Sequence, residues 1–404
     1  MRFITSIYIL VTLVFACLLY ICIFETPGDA KPNYTVAHVT FENARPYDMD
    51  KIESPNFIQD FKNPCFYNNN NNINTEEPMH NISCLPYFFV AGWTKAGSTD
   101  FWYRLTQHAH IHSGKYKELR WWSMGRKSSE NHMGSYLGLF DKDTQNIIST
   151  NELQSNGIIG DFSPQYSWDN DMYPVDPANS KDNPISLNPH RIAKLLPKAK
   201  IIFLLRNPTD LIFSDYKFFG QGNKTTEDFD NQITNAISWW NACLKRHKDT
   251  TCAYGSPSGL PALQKPSCDL ADTNKTMKCL QRVWEPSSPA TDRLRIAIYE
   301  IHLREWFNVF DSKQILIVPF SDYTYDPVRY ITYNVLPFLG VRNYTANEIE
   351  NQIKFFQKFG RFNMNLAHQN LKMLPETKYN LDMFFDGYNK ALISLLGSDI
   401  TLKW

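Results

Sequence analysis

A short glycine-containing stretch limits the fold of this chain more than any other feature. The apolar, aromatic-rich run that begins at Cys84 has the length of a strand and leads into residues 92–99, GWTKAGST. A helical pattern follows, with Phe101, Leu105 and His108 at helical spacing. Glycines allow a tight loop whose backbone N–H groups converge on an anion, and the N-terminus of the following helix adds a favourable dipole. The sequence therefore predicts a strand, a phosphate-binding loop and a helix.

The position of the lysine in this loop discriminates between ligands. The loop nearly matches the pattern G-x-x-x-x-G-K-[ST], but Ser98 follows the second glycine and Lys95 lies three places earlier. A kinase or NTPase needs its lysine on the β- and γ-phosphates and a hydroxyl with a carboxylate on Mg²⁺. Lys95 would instead reach a group attached at a single phosphate. An ATP-dependent kinase is disfavoured but stays open, as does a glycine turn that only joins a strand to a helix.

Further strands alternate with helical patterns along the chain. The buried run AKIIFLLRNP from Ala199 follows the amphipathic stretch PHRIAKLLP. The run KQILIVPF from Lys313 follows the helical pattern LRIAIYEIHLREWFNVF. Strands that alternate with helices predict an α/β fold with a central, mainly parallel sheet flanked by helices.

A second candidate anion site follows the strand from Ala199. This strand runs into Arg206, and the helix after it carries Ser214. An arginine at the carboxyl end of a strand and a serine two turns into the next helix can clasp a second phosphate. Two anion sites on adjacent strand-to-helix turns suit a nucleotide phosphorylated at two separated positions.

The first 83 residues divide into three parts by composition. After the tail of residues 1–2, residues 3–24 carry no charged side chain and would form a helix of roughly 33 Å, against roughly 30 Å of bilayer hydrocarbon. Pro, Asn and acidic residues then dominate residues 25–83. We expect a transmembrane signal anchor, a stem, and a lumenal domain over residues 84–404, with a cleavable signal peptide as the alternative.

Charge and cysteine usage fit a secretory protein. The chain has 41 basic and 41 acidic side chains, so no general basic field favours nucleic acid. Six of the 8 cysteines lie outside the apolar segment, and five N-x-[ST] sequons agree with secretory entry. Neighbouring cysteines would pair as Cys65/Cys84, Cys243/Cys252 and Cys268/Cys279. The connectivity stays open at this point, because six cysteines allow 15 pairings.

The motifs K-A-G-S-T and R-N-P-x-x-x-x-x-S-D-Y resemble the 5′- and 3′-phosphate-binding motifs of the Golgi carbohydrate sulfotransferases. The blocks KELRWW, SPQYSWDN and LPETKYNLDMFFDGYNKAL extend the resemblance over nearly all of residues 84–404. They look most like the N-acetylgalactosamine 4-sulfate 6-O-sulfotransferases, with the heparan sulfate 3-O-sulfotransferases more distant. The resemblance implies a P-loop-like sulfotransferase fold and 3′-phosphoadenosine 5′-phosphosulfate as the donor, without a metal. It also implies a single-pass type II Golgi membrane protein with its catalytic domain in the lumen.

The resemblance also assigns residues to the donor. It implies that the 5′-phosphosulfate is held by Lys95, Ala96, Gly97, Ser98 and Thr99, and the 3′-phosphate by Arg206 and Ser214. A third set, in a segment with an inserted Phe relative to the family, is Lys358, Gly360 and Arg361. The family usually carries Asp at Asn207 and Arg at Leu211, so a supporting ion pair is expected to be missing.

Sulfuryl transfer needs a base for the acceptor hydroxyl and a cation for the departing phosphate. The resemblance gives the base as Glu118, with Lys95 as the cation. Arg120 stands where the family often has a histidine. We expect an acidic glycosaminoglycan as the acceptor, bound by Lys117, Arg120, Trp121, Ser163, Trp168 and Asp169.

The sequence leaves two acceptor classes and one non-enzymatic role open. The leading expectation is transfer to the 6-O of N-acetylgalactosamine 4-sulfate in chondroitin or dermatan sulfate. A heparan sulfate O-sulfotransferase is the alternative. A catalytically silent protein that holds an acidic glycan is disfavoured by the intact Lys95, Arg206, Ser214 and Glu118.

Overall fold

We analysed a computed structural model of the 404-residue chain. The structure describes residues 44, 52–68, 82–123, 132–170, 187–220, 224–254, 289–359, 370–397 and 400–404. The expected anchor over residues 3–24 lies outside these ranges. Within them, no helix combines the length and the apolarity that crossing a bilayer requires.

The centre of the fold is a five-stranded sheet. Its strands are β3 (Phe88–Gly92), β4 (Ile111–His112), β5 (Ile158–Asp161), β6 (Lys200–Leu205) and β7 (Ile315–Pro319). They lie in the order β4-β5-β3-β6-β7, and every neighbouring pair is parallel. The predicted α/β fold with a central parallel sheet is therefore confirmed. Because the strands are parallel, all five carboxyl ends meet at one edge, where ligands bind in sheets of this kind.

The inner strands form because their sequences are apolar on both faces. All five residues of β3 are buried, and so are residues 201–205 of β6. Such runs are typical of parallel strands that helices cover on both sides. The three strands predicted from the sequence correspond to β3, β6 and β7. The sequence analysis missed β4 and β5, which have two and four residues.

The helices surround this sheet. In chain order they are α1 (Ser98–Leu105), α2 (Met133–Gly138), α3 (Asp141–Ile148), α4 (Asn151–Asn156), α5 (Asn188–Leu195), α6 (Pro208–Phe219), α7 (Thr226–Leu244), α8 (Asp249–Tyr254), α9 (Pro289–Ile296), α10 (Tyr299–Phe307), α11 (Phe320–Tyr325), α12 (Pro327–Tyr330), α13 (Leu336–Leu339), α14 (Ala346–Phe359) and α15 (Pro375–Leu396). Short 3₁₀ turns lie at Pro164–Ser167 and Ser312–Gln314, and a π-helical turn at Ile331–Val335 precedes α13. The helical pattern before β7 is two helices, α9 and α10, separated by the buried Ala297 and Ile298.

A small hairpin precedes the five-stranded sheet in the chain. Strands β1 (Cys65–Tyr67) and β2 (Ile82–Cys84) pair antiparallel, and their end residues Cys65 and Cys84 form a disulfide. The buried Asn63 side chain donates to the Leu85 carbonyl and accepts from the Ile159 N–H, 2.7 Å in each case. The hairpin spans the predicted domain boundary at residue 84, and its first strand was not predicted from the sequence. A three-residue strand flanked by Pro and Asn gave no periodicity by which to detect it.

A second expected disulfide is also confirmed. Cys243, near the end of α7, bonds to Cys252 in α8. The third expected pair, Cys268 and Cys279, lies outside the described residues.

Candidate active site

The glycine loop between β3 and α1 has the form that the sequence predicts. Gly97 precedes α1 with φ +84°, and a Cβ there would come within 3.1 Å of the Phe320 ring. Backbone conformation therefore favours glycine at this position, and a side chain there would also force the Phe320 ring to move by a few tenths of an ångström. Ser98 begins α1, so the N-terminus of this helix, with the positive end of its dipole, lies at the loop.

Backbone strain marks two loops at the carboxyl edge of the sheet. In the part of the chain that the structure describes, the non-glycine residues with positive φ are Lys95 at 64°, Glu118 at 65° and Arg120 at 59°. Side-chain-bearing residues adopt this conformation at a cost, and such residues concentrate at functional sites. The cation and the base expected from the sequence are thus both held in unusual backbone conformations.

The two expected phosphate loops touch each other. Strands β3 and β6 are hydrogen-bonded neighbours, so the loops that follow them lie side by side. Arg206 Nη1 donates to the Lys95 carbonyl oxygen at 3.1 Å. The Tyr299 hydroxyl in turn donates to the Arg206 carbonyl oxygen at 2.7 Å. Half-buried Arg206 therefore joins the two loops into one basic cleft.

The surroundings of Lys95 in this cleft lower the pKa of its ammonium group. Burial lowers its pKa to about 8, and nearby Arg206 and Lys117 act in the same direction, while Asp215 and Glu118 oppose the shift. The ammonium lies 3.7 Å from the centre of the Phe218 ring. The Thr94 hydroxyl in the same loop is buried and has no hydrogen-bond partner among the described residues. An anion in the loop would satisfy both groups.

Glu118 lies on the loop that follows β4, and its backbone N–H donates to the Phe162 carbonyl at 3.1 Å. Its carboxylate receives three donors, namely Lys117 Nζ, Arg120 Nη2 at 2.5 Å and Gln165 Nε2 at 3.0 Å. Burial alone would raise the pKa of Glu118, but the effect of these donors is larger than that of burial and lowers the pKa to about 2. Glu118 is therefore a fully ionised carboxylate with strong partners.

A buried polar network fixes the Glu118 loop from behind. Asp161, at the end of β5, accepts hydrogen bonds from Ser163 Oγ at 2.6 Å, the Tyr136 hydroxyl at 2.7 Å and the Tyr166 hydroxyl at 2.8 Å. Burial raises the pKa of Asp161 to about 6, although these donors act in the opposite direction. Ser163 Oγ also accepts from the Arg120 N–H at 3.0 Å. Asp161 thus supports the loop through Ser163.

The residues expected to bind the acceptor divide into exposed and buried ones. The Arg120 side chain retains 44% of its exposure, and Trp168 is half-buried. Ser163 and Asp169 are buried. Trp121 is expected from the sequence to bind the acceptor, but neither its ring nor that of its neighbour Trp122 reaches the surface. Both are fully buried, and the Trp121 ring stacks on Tyr136 with 4.7 Å between centroids.

The remaining donor residues are only partly covered by the structure. Ser214 is half-buried in α6, the helix that follows Arg206. Asn207 caps that helix by accepting from the Asp210 N–H at 3.2 Å, and Leu211 is buried. Lys358 is exposed near the end of α14, whereas Gly360 and Arg361 lie outside the described residues. Asn207 therefore stabilises the start of α6, and Leu211 packs in the core.

Sequence reasoning missed two features of the site. Gln165 holds the candidate base, but it lies in a 3₁₀ turn with no periodic pattern, so only its place inside the block SPQYSWDN marks it. The exposed Phe218 and Phe219 end α6 beside Lys95. Consecutive aromatic residues in a helix usually signal packing, which hides such a role in the sequence. Within the described residues, no cluster of His, Cys, Asp and Glu could hold a metal ion.

The chain is similar in sequence to a domain family and to proteins of several organisms. Residues 86–372 match the sulfotransferase domain family. Human carbohydrate sulfotransferase 15 is 27% identical over 343 residues, which cover 80% of this chain and 55% of that protein. A membrane-associated sulfotransferase of Dictyostelium discoideum is 23% identical and is covered to 67%. A bifunctional heparan sulfate N-deacetylase/N-sulfotransferase 1 of Xenopus tropicalis is 27% identical over 52% of this chain and 19% of that protein.

These matches confirm the resemblance that the motifs indicated. The chain spans about half the length of the mammalian carbohydrate sulfotransferase 15 proteins, 55% of the human and 44% of the rat protein. The family match takes in the Lys95 loop, the Glu118 loop and Arg206. Because it also extends over more than two thirds of the residues, the chain belongs to the sulfotransferase domain family.

Proposed function

We propose that this chain transfers a sulfuryl group from 3′-phosphoadenosine 5′-phosphosulfate to a sugar hydroxyl of an acidic glycosaminoglycan. The observation that carries the proposal is that Lys95, Arg206 and Glu118 lie on the loops after β3, β6 and β4, at the same edge of a parallel sheet, where Arg206 bonds to the Lys95 backbone and the Glu118 charge acts on the Lys95 ammonium. Family membership supports the sulfuryl donor, and the carbohydrate sulfotransferases among the relatives support a sugar acceptor.

The donor would lie across the loops after β3 and β6. Residues 95–99 would receive the 5′-phosphosulfate on backbone N–H groups and on the Lys95 ammonium. Arg206 and Ser214 would hold the 3′-phosphate, since a guanidinium can bind two phosphate oxygens at once. The family's chemistry requires no metal, because Lys95 and the helix N-terminus supply the positive charge.

The transfer step assigns one role to each of two side chains. The acceptor oxygen forms a bond to sulfur as the bond from sulfur to the bridging phosphate oxygen breaks, and 3′,5′-adenosine bisphosphate departs. Glu118 takes the proton of the acceptor hydroxyl, and Lys95 stabilises the charge that develops on the departing phosphate. The negative charge of the carboxylate and the positive charge of the ammonium therefore act on opposite sides of the sulfur.

For the acceptor we propose the 6-O of N-acetylgalactosamine 4-sulfate in chondroitin or dermatan sulfate. The sequence blocks KELRWW and SPQYSWDN favour this branch, and the exposed Arg120 beside Glu118 suits an anionic sugar. A heparan sulfate acceptor is the second candidate, because the relatives include a heparan sulfate N-sulfotransferase. A catalytically silent glycan-binding protein would have no need to hold Lys95 and Glu118 in strained conformations.

We further propose a single-pass type II Golgi membrane protein, anchored by residues 3–24. The full chain expressed in animal cells should stay in the membrane pellet after alkaline carbonate, and glycosidase treatment should shift its mobility. Recovery of a soluble protein cleaved near residue 25 would contradict the anchor.

The central experiment uses the full chain with sulfur-labelled donor and defined glycosaminoglycans. We expect label in chondroitin 4-sulfate, and disaccharide analysis should place it at the 6-O of the 4-sulfated N-acetylgalactosamine. Label confined to heparan sulfate would favour the second candidate. Absence of transfer to every acceptor, with intact binding of 3′,5′-adenosine bisphosphate, would favour the silent binding protein.

A further inference from the structure

Two cations hold the Glu118 carboxylate, and they differ in their access to solvent. The Lys117 side chain retains 12% of its exposure, and its ammonium bonds to Oε1. The Arg120 side chain retains 44%, and its Nη2 lies 2.5 Å from Oε2. A bulky anionic ligand can therefore reach Arg120 far more easily than Lys117.

The carboxylate keeps a neutral donor if Arg120 leaves. Gln165 Nε2 donates to the same Oε2 atom at 3.0 Å, and Gln165 itself is buried. Departure of the guanidinium would thus remove a positive charge from Glu118 without leaving that oxygen unpartnered. A neutral amide orients a carboxylate but neutralises its charge much less than a guanidinium does.

The backbone of Arg120 is anchored separately from its side chain. Its N–H donates to Ser163 Oγ, and Ser163 is buried against Asp161. The guanidinium can therefore change partners while the loop that carries Glu118 keeps its place. Sulfate and carboxylate groups both accept two parallel N–H bonds from arginine, so an anionic sugar can compensate Arg120 for the lost partner.

The paired carboxylate is a poor base for a sugar hydroxyl. The charged groups that act on it are Lys117 and Arg120 from its own loop and Lys95 from the loop after β3, with Gln165 from the 3₁₀ turn after β5. Burial raises the pKa of Glu118, whereas Lys117 most strongly, and then Arg120 and Gln165, lower it. Loss of the guanidinium alone would leave burial less opposed, and Glu118 would become more basic.

We propose that Arg120 is an acceptor-operated latch on Glu118. An anionic group of the acceptor, next to the hydroxyl that reacts, draws the guanidinium away, and the carboxylate, then held by Lys117 and Gln165, becomes a stronger base for the proton of that hydroxyl. Arg120 is thus a positioning and specificity-determining residue that couples the charge of the acceptor to turnover. The inference rests on the proposed function, and it makes the anion a requirement for catalysis as well as for binding.

The test compares full-length wild type with Arg120→Gln on three acceptors. These are chondroitin 4-sulfate, desulfated chondroitin and carboxyl-reduced chondroitin 4-sulfate, so that sulfate and carboxylate are separated as the source of the anion. Wild type should turn over desulfated or carboxyl-reduced acceptor slowly, according to which anion operates the latch. Arg120→Gln should raise kcat on that poor acceptor by about tenfold, because its Glu118 carboxylate keeps Lys117 but has lost the guanidinium, and is therefore a stronger base.

The pH profile separates a latch from a simple anion-binding residue. On the poor acceptor, the acid limb of kcat should lie at higher pH in Arg120→Gln than in wild type, because the freed carboxylate protonates more readily. Arg120→Lys keeps a cation beside Glu118 and should retain the wild-type preference. Lys115→Gln removes an exposed charge from the same loop and serves as the matched control.

Several outcomes would overturn the latch. If Arg120→Gln raises KM on the good acceptor but leaves kcat and its acid limb on the poor acceptor unchanged, Arg120 only binds the anion. Lower kcat on every acceptor, with normal binding of 3′,5′-adenosine bisphosphate, would equally reject it. If Arg120→Gln does not fold, an Arg120→Lys variant that loses the preference for the anionic acceptor rejects the latch by itself. Wild type that sulfates no acceptor contradicts the proposed function instead.

Discussion

The donor half and the acceptor half of the site are built in different ways. The candidate donor half consists of two loops, each of which directly follows a buried apolar strand, β3 or β6, and the Arg206 side chain donates from one loop to the Lys95 carbonyl oxygen of the other. The candidate acceptor half lies on loops and a 3₁₀ turn after the short strands β4 and β5, where Glu118 is held by Gln165 and the Arg120 N–H by Ser163. A mutation in the donor half should therefore change nucleotide affinity, whereas one in the acceptor half should change turnover.

Glu118→Gln should give the largest effect and the clearest separation of the two halves. The amide keeps the shape of the carboxylate but removes its basicity, so turnover on a chondroitin acceptor should fall by roughly 10² to 10⁴. Calorimetry with 3′,5′-adenosine bisphosphate should give nearly unchanged affinity. Near-normal turnover would mean that the base lies elsewhere, and the buried Asp161 and Asp169 would then be tested in the same way.

Arg206→Ala should show the opposite pattern. Loss of a charge-assisted bond to the 3′-phosphate should reduce affinity for 3′,5′-adenosine bisphosphate by about 10- to 100-fold. Affinity for AMP, which has no 3′-phosphate, should change much less, and Arg206→Lys should retain part of the preference. Equal affinity of the wild-type protein for AMP and for the bisphosphate would remove the basis for a two-phosphate cleft.

The difference between the halves also explains what the sequence could predict. The Lys95 loop and Arg206 follow strands with continuous apolar sequences, so these two strands and the two candidate phosphate loops could be predicted from local patterns. Strand β4 has two residues, and the loop that carries Glu118 shows its role only by resemblance to a family. The sequence predicts that Trp121 binds the acceptor, because aromatic residues beside cations are common in sugar-binding sites. In the structure its ring is buried in the core and stacks on Tyr136. Local patterns cannot reveal which side of a loop faces the interior.

The pH dependence of nucleotide binding tests the charge of the donor half. Burial lowers the pKa of Lys95 to about 8, so its ammonium is present at pH 7 and is mostly lost at pH 9. The bound phosphate needs that ammonium, so binding takes up a proton at high pH. We expect affinity for 3′,5′-adenosine bisphosphate to fall by about tenfold between pH 7 and pH 9.

Lys95→Arg provides the control for this measurement. Its guanidinium stays charged over the whole interval, so its affinity should not depend on pH in this range. A similar fall in Lys95→Arg would assign the pH dependence to another group in the cleft.

Ser163→Ala should give the smallest effect and is the sharpest test of how separate the halves are. The substitution leaves Asp161 and the Arg120 N–H each without one partner, which should lower the free energy of unfolding by about 1–3 kcal/mol in denaturant titrations. Turnover should fall only a few-fold, because the Phe162 carbonyl still accepts from the Glu118 N–H and Gln165 still donates to the carboxylate. Nucleotide affinity should stay at the wild-type value, since Ser163 makes no contact with the Lys95 or Arg206 side chains among the bonds described, and Ser163→Thr should recover most of the turnover by restoring the hydroxyl. If nucleotide affinity falls in step with turnover, the Asp161 network supports both loops, and the two halves form a single structural unit.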